Sequence, residues 1–292
     1  MRILVTGGSS FVGAHFSLKA ASQHEVIAVH HRTPLRLNGV TPLRCDLRRE
    51  RDRQRIAEAK PDVVVHLAAK IRTVAGEDPP GAAAAALNRL MMDAVLAAGC
   101  PVVYASSTVV HWPTETPYGQ SRREDEARLR QSGLPYAIVR PCAPYGPALS
   151  THQPGHRESF QTLVSLVRSS PVVPVVGDGK YRRQPIHVDD LNEAMLRLAV
   201  AGPRGQEVDA GGAEALTFDE IIDTIGRAVG CGCVRKLHIP KSMAVKLAKV
   251  VPNMEPSLLG AVDTDEVTDA AAFTAATGIT ARSFEDGVRD LL

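Results

Sequence analysis

Residues 6–13 read T-G-G-S-S-F-V-G, directly after the apolar run R-I-L-V-T at residues 2–6. An apolar strand, a tight glycine turn and a helical segment in immediate succession put a helix N-terminus at the end of the first strand. Unpaired N–H groups and the helix dipole at such a point favour an anion, which is the physical basis of a dinucleotide pyrophosphate site. Gly7 and Gly13 stand where the backbone must turn tightly and where the helix must approach the strand. One glycine pattern is weak evidence by itself, so its weight depends on the rest of the chain.

Strand-like and helix-like segments alternate beyond that turn. To about residue 145, short Val- and Ile-rich runs (E-V-I-A-V-H, P-D-V-V-V-H-L-A-A, P-V-V-Y-A-S-S, P-Y-A-I-V-R) are separated by longer segments of helical character. Continuous apolar strands between helices are strands covered on both faces, hence an α/β fold with a Rossmann-type, doubly wound parallel sheet. Such sheets bind ligands at the carboxyl ends of their strands. After residue 145 the rhythm changes to Pro- and Gly-rich loops, a helix near 157–169, a short strand P-V-V-P-V-V and a helix capped by Asp189 or Asp190 that runs to about 200. Further helices are expected after Leu216-Thr217-Phe218 and after Ile239-Pro240-Lys241. The division is therefore residues 1–146, also receiving about 184–204, as the dinucleotide-binding domain, with 147–183 and 205–292 as a smaller C-terminal substrate lobe.

Composition excludes several classes. The 292 residues are 44% hydrophobic and 23% charged with a formal charge of +2, which is ordinary for a globular chain and poor for disorder. The charge-dense run R-C-D-L-R-R-E-R-D-R-Q-R alternates signs, so it reads as a solvated face and not as a nucleic-acid patch. No stretch reaches the ~18 uncharged residues of a membrane span. Five cysteines without a paired metal spacing suit a reduced, cytoplasmic protein and give no metal site.

Taken in order, several motifs resemble the extended short-chain dehydrogenase/reductase family over nearly the whole length. Its first turn, T-G-x-x-G-x-x-G, matches residues 6–13 except that the middle glycine is Ser10, whose hydroxyl is expected along the phosphate path. Cys45-Asp46-Leu47 is similar to the family's adenine-contacting segment, H-L-A-A at 66–69 to its strand end lining the cofactor, and Asn88 to its helix asparagine. S-S-T-V-V-H-W at 106–112, R-P-C-A-P-Y-G-P at 140–147 and G-D-G-K-Y-R-R at 177–183 continue the series. The resemblance implies cofactor contacts at Gly7, Ser9, Ser10, Phe11, Val12, Gly13, His31, Arg32, Asp46, Leu47, Leu67, Ala68, Ala69, Ser106, Tyr118, Arg122 and Pro141. The second strand ends His30-His31-Arg32, without the acidic residue that would hold a ribose 2′-hydroxyl, so NADP is favoured over NAD.

The same resemblance assigns chemistry to Ser107, Tyr118 and Arg122. Ser107 stands at the family's catalytic Ser/Thr and Tyr118 at its tyrosine, and the family's lysine four residues later is here Arg122. A phenol titrating near ~10 needs a fixed cation to work at neutral pH, and residues four apart share a helix face. Arginine keeps the charge but is larger than lysine and releases no proton. Tyr118 would exchange the proton of a substrate oxygen that Ser107 holds, while Arg122 biases the phenol and binds ribose. The chain then reduces or epimerises a hydroxyl- or carbonyl-bearing carbon; the alternative is a cofactor-binding or scaffold protein of the same fold with impaired chemistry.

Thr108-Val109 stand where family dehydratases carry an acidic pair, which disfavours dehydration. Arg183 occupies the family's phosphate-contacting position, so a nucleotide sugar bound with Lys70 and Thr108 leads among substrates; a bridge from Arg183 to a carboxylate is the other reading. Cys142 is expected to be a buried structural thiol and His66 and His187 satisfied core histidines, while Trp112 and Tyr145 are expected to wall the cleft. Helical segments near 82–98 and 118–132 are candidates for a homodimer interface.

Overall fold

In the computed structural model, which describes residues 1–71, 81–154, 159–248 and 262–292, seven parallel strands form the central sheet. They are β1 (Arg2–Thr6), β2 (Glu25–His30), β3 (Val40–Arg44), β4 (Val63–His66), β5 (Val102–Ala105), β6 (Tyr136–Pro141) and β9 (Gln206–Ala210), in the order β3-β2-β1-β4-β5-β6-β9. Chain direction across the sheet reverses between β1 and β4, and the crevice of a doubly wound fold opens at that reversal.

Alternate residues of each strand feed two separate cores. Ile3, Val5, Val63, Val65 and Val103 face α1 (Phe11–Ala21) and α6 (Val188–Ala201). Leu4, Val64, Val102 and Tyr104 face α2 (Glu50–Glu58), α3 (Ala82–Leu96) and α4 (Pro117–Gln131). Burial on both sides is why these strands show no polar alternation.

Both strands absent from the sequence-based expectation lie at sheet edges. β3 contains Pro42, which an edge tolerates because one side of its backbone needs no partner. β9 is polar, and ion pairs hold it. Arg140 reaches Glu207 at 2.6 Å, Asp209 at 3.3 Å and Glu126 at 2.7 Å, and Arg130 reaches Glu207 at 2.6 Å. The lobe boundary expected at residue 205 therefore falls too early. The α9 helix (Ala270–Thr277) also returns to the main domain, where Phe273 joins the α1/α6 core.

The second lobe comprises α5 (Ser159–Ser169), β7 (Val172–Val176), β8 (Arg182–Arg183), β10 (Leu216–Thr217), α7 (Phe218–Ala228), β11 (Arg235–Ile239) and α8 (Lys241–Ala248). Residues 157 and 158 of the expected helix lie outside the described residues; its remainder is α5. Thr217 and Glu220 form a capping box at the start of α7. α6 is capped not by an aspartate but by His187, whose Nδ1 accepts the Asp189 N–H at 3.2 Å. Asp190 instead takes Arg282 at 2.8 and 3.0 Å, tying the C-terminal segment down. Tyr145 does not wall the cleft: it is fully buried among Phe160, His187 and Phe284.

Arg130 and Arg140 hold the Glu207 carboxyl down at about 2. A depressed carboxylate stabilises the fold fully above the ordinary range near ~4.3 and loses that contribution as pH falls toward the folded value. Glu207→Gln should therefore be less stable than wild type at neutral pH, with the difference vanishing between about pH 4.3 and 2 in a denaturant-midpoint series. A difference that persists at pH 2 would mean that packing, not charge, holds β9.

Candidate active site

Gly7 adopts φ +69°, and a Cβ there would lie 2.8 Å from the Ala68 amide nitrogen. The turn is thus pressed against the end of β4. At Gly13 a Cβ would lie 2.2 Å from the Gly7 carbonyl oxygen, so helix α1 begins in contact with the turn it leaves. Ser10 departs from expectation. Its hydroxyl turns back to cap α1, accepting the Gly13 N–H at 3.1 Å, because an N-cap oxygen finds an orphan donor there. Among the described residues the amides of Phe11 and Val12 have no protein partner and remain the free donors of the first turn. Above them His152 donates to the Ser9 carbonyl and His15 to the Pro147 carbonyl, each at 3.0 Å, which fastens the 147–152 loop over the turn.

Beyond β2 a cavity of about 310 Å³ is lined by His31, Arg44, Asp46, Arg49 and Asp52. Arg48 grips the Asp46 carboxylate at 2.7 and 2.8 Å and holds it well below the usual carboxylate range. Arg32 is exposed and does not line this cavity, and Leu47 is buried in the α2/α3 core, so the cations facing the cavity are Arg44 and Arg49, which the motif reading missed.

At the end of β4, Leu67 N–H donates to the Thr6 carbonyl at 3.3 Å and Ala68 N–H to the Thr6 hydroxyl at 3.2 Å. That hydroxyl in turn meets His66 Nδ1 at 2.6 Å. Burial and the Arg122 charge push His66 down to about 3, so it is a neutral core histidine. Ala69 and Lys70 are exposed. Asn88 holds Lys70 by both its N–H (2.7 Å) and its carbonyl (3.1 Å) and donates to Ser121 on α4 at 3.0 Å. The helix asparagine thus joins the strand end to the helix that carries Tyr118.

Ser106 is buried after β5, and Ser107 opens a 3₁₀ turn, Thr108–His111, accepting the Val109 N–H at 3.4 Å. α4 starts on this turn. Thr116 caps it at Gly119 N (3.0 Å), Pro117 takes the first position, and Arg123 donates to the Val110 carbonyl at 3.1 Å. The half-buried Tyr118 is thereby carried to the Ser107 turn. Arg122 goes the other way. It is fully buried, pairs with Asp125 at 2.9 Å, and lies 5.5 Å over the Tyr104 ring and 5.3 Å over the Tyr118 ring. It makes no hydrogen bond to the phenol, and its Nε and Nη1 have no partner. Arg122 does lower the Tyr118 phenol, as expected, but burial pushes it up by more, and Asp125 offsets part of the arginine's effect.

The Thr108 hydroxyl donates to Glu266 and lies 3.4 Å from the Pro141 carbonyl oxygen. Arg183 pairs with Glu266 at 3.1 Å and donates to the carbonyls of Arg182 (2.9 Å), Val262 (2.6 Å) and Thr264. The carboxylate-bridge reading of Arg183 is the one this structure has. Glu266 was invisible in the sequence because it lies in a T-D-E run far from any motif. Cys142 is buried, accepts the Gln184 N–H at 3.4 Å and is pushed up to about 12 by burial, so it is no nucleophile.

A family model described as "NAD dependent epimerase/dehydratase family" matches residues 3–211. The chain belongs to that family. It is 26% identical over 284 residues to a dTDP-glucose 4,6-dehydratase of Streptomyces niveus, covering 82% of this chain and 81% of the relative. It is 31% identical over 202 residues to a ceramide reductase of Caulobacter vibrioides, covering 64% and 57%. Its fold matches the crystal structure of the UDP-glucose 4-epimerase from Bifidobacterium longum in complex with NAD+ and UDP, with a TM-score of 0.80 at 19% identity over 100% and 97% of the two chains.

The family's nicotinamide dinucleotide fits the residues present: two unpartnered amides at a helix N-terminus, a turn that only glycine can make, and a cavity beyond β2 lined by two arginines and two aspartates. Gly7→Ala should strain the turn and push it off Ala68, weakening dinucleotide binding by about ten-fold or more, since such strain costs ~1–3 kcal/mol. Calorimetric titration of the folded variant checks this; unchanged affinity would remove the turn from the binding site.

Proposed function

We propose that the protein carries out reversible hydride transfer at a hydroxyl- or carbonyl-bearing carbon, by ketoreduction or epimerisation, on a nucleotide sugar or a similar hydroxylated metabolite. The supporting observations are that α4, which carries Tyr118, is tied by Arg123 to the 3₁₀ turn opened by Ser107, and that the Arg122 guanidinium lies over the Tyr118 ring. The bound cofactor supplies hydride exchange at its nicotinamide. Tyr118 exchanges the proton of the substrate oxygen, Ser107 holds that oxygen by a hydrogen bond, and Arg122 places positive charge under the phenol ring. Dehydration is disfavoured because Thr108-Val109 follow Ser107, and the one carboxylate bonded to Thr108, Glu266, is already paired with Arg183. The second lobe supplies the substrate side through Arg183, with Lys70 and Thr108 from the main domain.

NADP is favoured over NAD. The support is the cavity lined by His31, Arg44, Asp46, Arg49 and Asp52, where a 2′-phosphate finds two guanidinium partners and a ribose 2′-hydroxyl finds Asp46 already bound by Arg48. A cytoplasmic location suits the five free cysteines, and among the described residues no helix is long and apolar enough to cross a membrane. A homodimer through α3 and α4 would place the Arg89–Glu124 and Arg128–Asp93 pairs at its interface. A second reading, a dinucleotide-binding protein without turnover, draws on one observation: Arg122 is held inward by Asp125, and Arg183 is held by Glu266 and carbonyls of its own chain.

Tyr118→Phe removes the exchangeable proton and little else. Its turnover should fall by about 10²–10⁴ while dinucleotide affinity stays near wild type; wild-type rates would end the proton-transfer role. For the cofactor, Arg44→Ala and Arg49→Ala should each weaken NADP by about ten-fold, as expected for one charge-assisted bond, and leave NAD unchanged. Equal losses for the two dinucleotides, measured by fluorescence titration, would refute the 2′-phosphate site.

A further inference from the structure

Arg122 heads the fully buried side chains by volume, and a guanidinium without water contact needs a counter-charge. Asp125, one turn on along α4 and itself buried, supplies it at 2.9 Å. The same carboxylate oxygen accepts the Tyr104 hydroxyl at 3.3 Å. Tyr104 belongs to β5, so the carboxylate is fixed from two elements, and the guanidinium fills the gap between the Tyr104 and Tyr118 rings. Asn88 on α3 holds Ser121, the residue before Arg122, at 3.0 Å. A guanidinium on a flexible stem has no reason to stay under a ring with two nitrogens unpaired unless the third is anchored.

We propose that Asp125 is a positioning residue: it anchors the Arg122 guanidinium inward, against the ring face of Tyr118 and off its hydroxyl, and so governs the charge under the proton-exchanging phenol. This rests on the reading of Tyr118 as the proton-transfer residue. The groups around that phenol are Arg122 and Asp125 of α4, with Tyr104 of β5, His66 of β4 and Glu126 clustered about the same guanidinium. His66 is neutral, Tyr104 is held protonated by burial, and Glu126 is committed to Arg140 at 2.7 Å. That leaves Arg122 and Asp125 as the charges that set the balance. Burial favours the protonated phenol, and while Asp125 holds Arg122 the guanidinium opposes this only from the ring face, which suits donation to a nascent alkoxide better than abstraction from an alcohol. Freed from Asp125, the guanidinium can turn its unpaired nitrogens to the phenol oxygen and favour phenolate.

The test reads the tyrosine directly. The five tyrosines are replaced with 3-fluorotyrosine, which brings phenol titration to lower pH and gives each ring one fluorine resonance; the Tyr118 signal is the one missing in Tyr118→Phe. In Asp125→Asn the Tyr118 titration should move to lower pH by about one unit, a ten-fold gain in phenolate at a given pH. In the Arg122→Gln background the same Asp125→Asn change should lose most of that shift, because Asp125 acts through the arginine. An unmoved or upward titration in Asp125→Asn, or an equal shift with and without Arg122, overturns the proposal. Should Asp125→Asn not fold, Asp125→Glu takes its place by moving the charge one methylene outward. A titration change that requires Arg122 then supports positioning, and no change refutes it. Because the resonance titrates whether or not the protein turns over, failure here is distinct from failure of the Tyr118→Phe activity test.

Discussion

The close approach of Gly7 to the end of β4 sets the spacing on which the rest of the crevice depends. With an Ala68 backbone atom 2.8 Å from the position a Cβ would take, the turn and the strand end meet as backbone on backbone. The Thr6 hydroxyl bridges from β1 to Ala68 and His66. His66 stacks on Tyr104 at 5.4 Å between ring centroids, Tyr104 lies under Arg122, and Arg122 lies under Tyr118. A continuous run of contacts therefore connects the anion-binding turn to the phenol. A side chain at residue 7 would displace the first member and reach the last only through packed rings, which deform little.

The tyrosine–arginine spacing is where sequence geometry and structure part. Residues four apart share a helix face, and that much holds, since the guanidinium does lie over the Tyr118 ring. What spacing cannot give is which way a long side chain bends. Arginine is large enough to reach past the ring to a carboxylate three residues on, and in a dry site an ion pair with Asp125 wins over a single neutral phenol. Stacking on two aromatic faces adds to the preference. The result is an arginine that is close to the tyrosine and yet anchored elsewhere, through one nitrogen, on Asp125.

The main sheet was legible because burial on both faces leaves a signal in composition: five of its strands are apolar runs of Val and Ile. β3 and β9 were not, since an edge strand can carry Pro42 or the polar Q-E-V-D-A and be held by Arg130 and Arg140 instead of by its own side chains. Most candidate site positions were read from motifs on strand ends. The partners that decide their chemistry were not: Asp125, His152 and Glu266 carry no motif, and each acts through a contact that folding creates. Ser10 shows the same limit from the other side, for its place in the turn is as the motif has it but its hydroxyl serves the helix. Tyr145, in a motif, is core.

If Arg183 takes the substrate as proposed, selection turns on a competition that the fold itself contains. Arg183 is bound by two carbonyls of the 262–264 segment and by Glu266, and Glu266 also holds Thr108 beside the Ser107 turn. An incoming diphosphate would replace neutral carbonyls with charged oxygens, a gain for the guanidinium, but it would have to share that guanidinium with a carboxylate it repels. Asp263 and Asp265 lie close enough to feel the same cation, so the field around Arg183 is already balanced. A diphosphate therefore binds here only as strongly as its bonds exceed those of the segment it displaces. An uncharged hydroxylated substrate would escape that exchange and, on the proposed reading, need only Ser107 and Tyr118 at its oxygen.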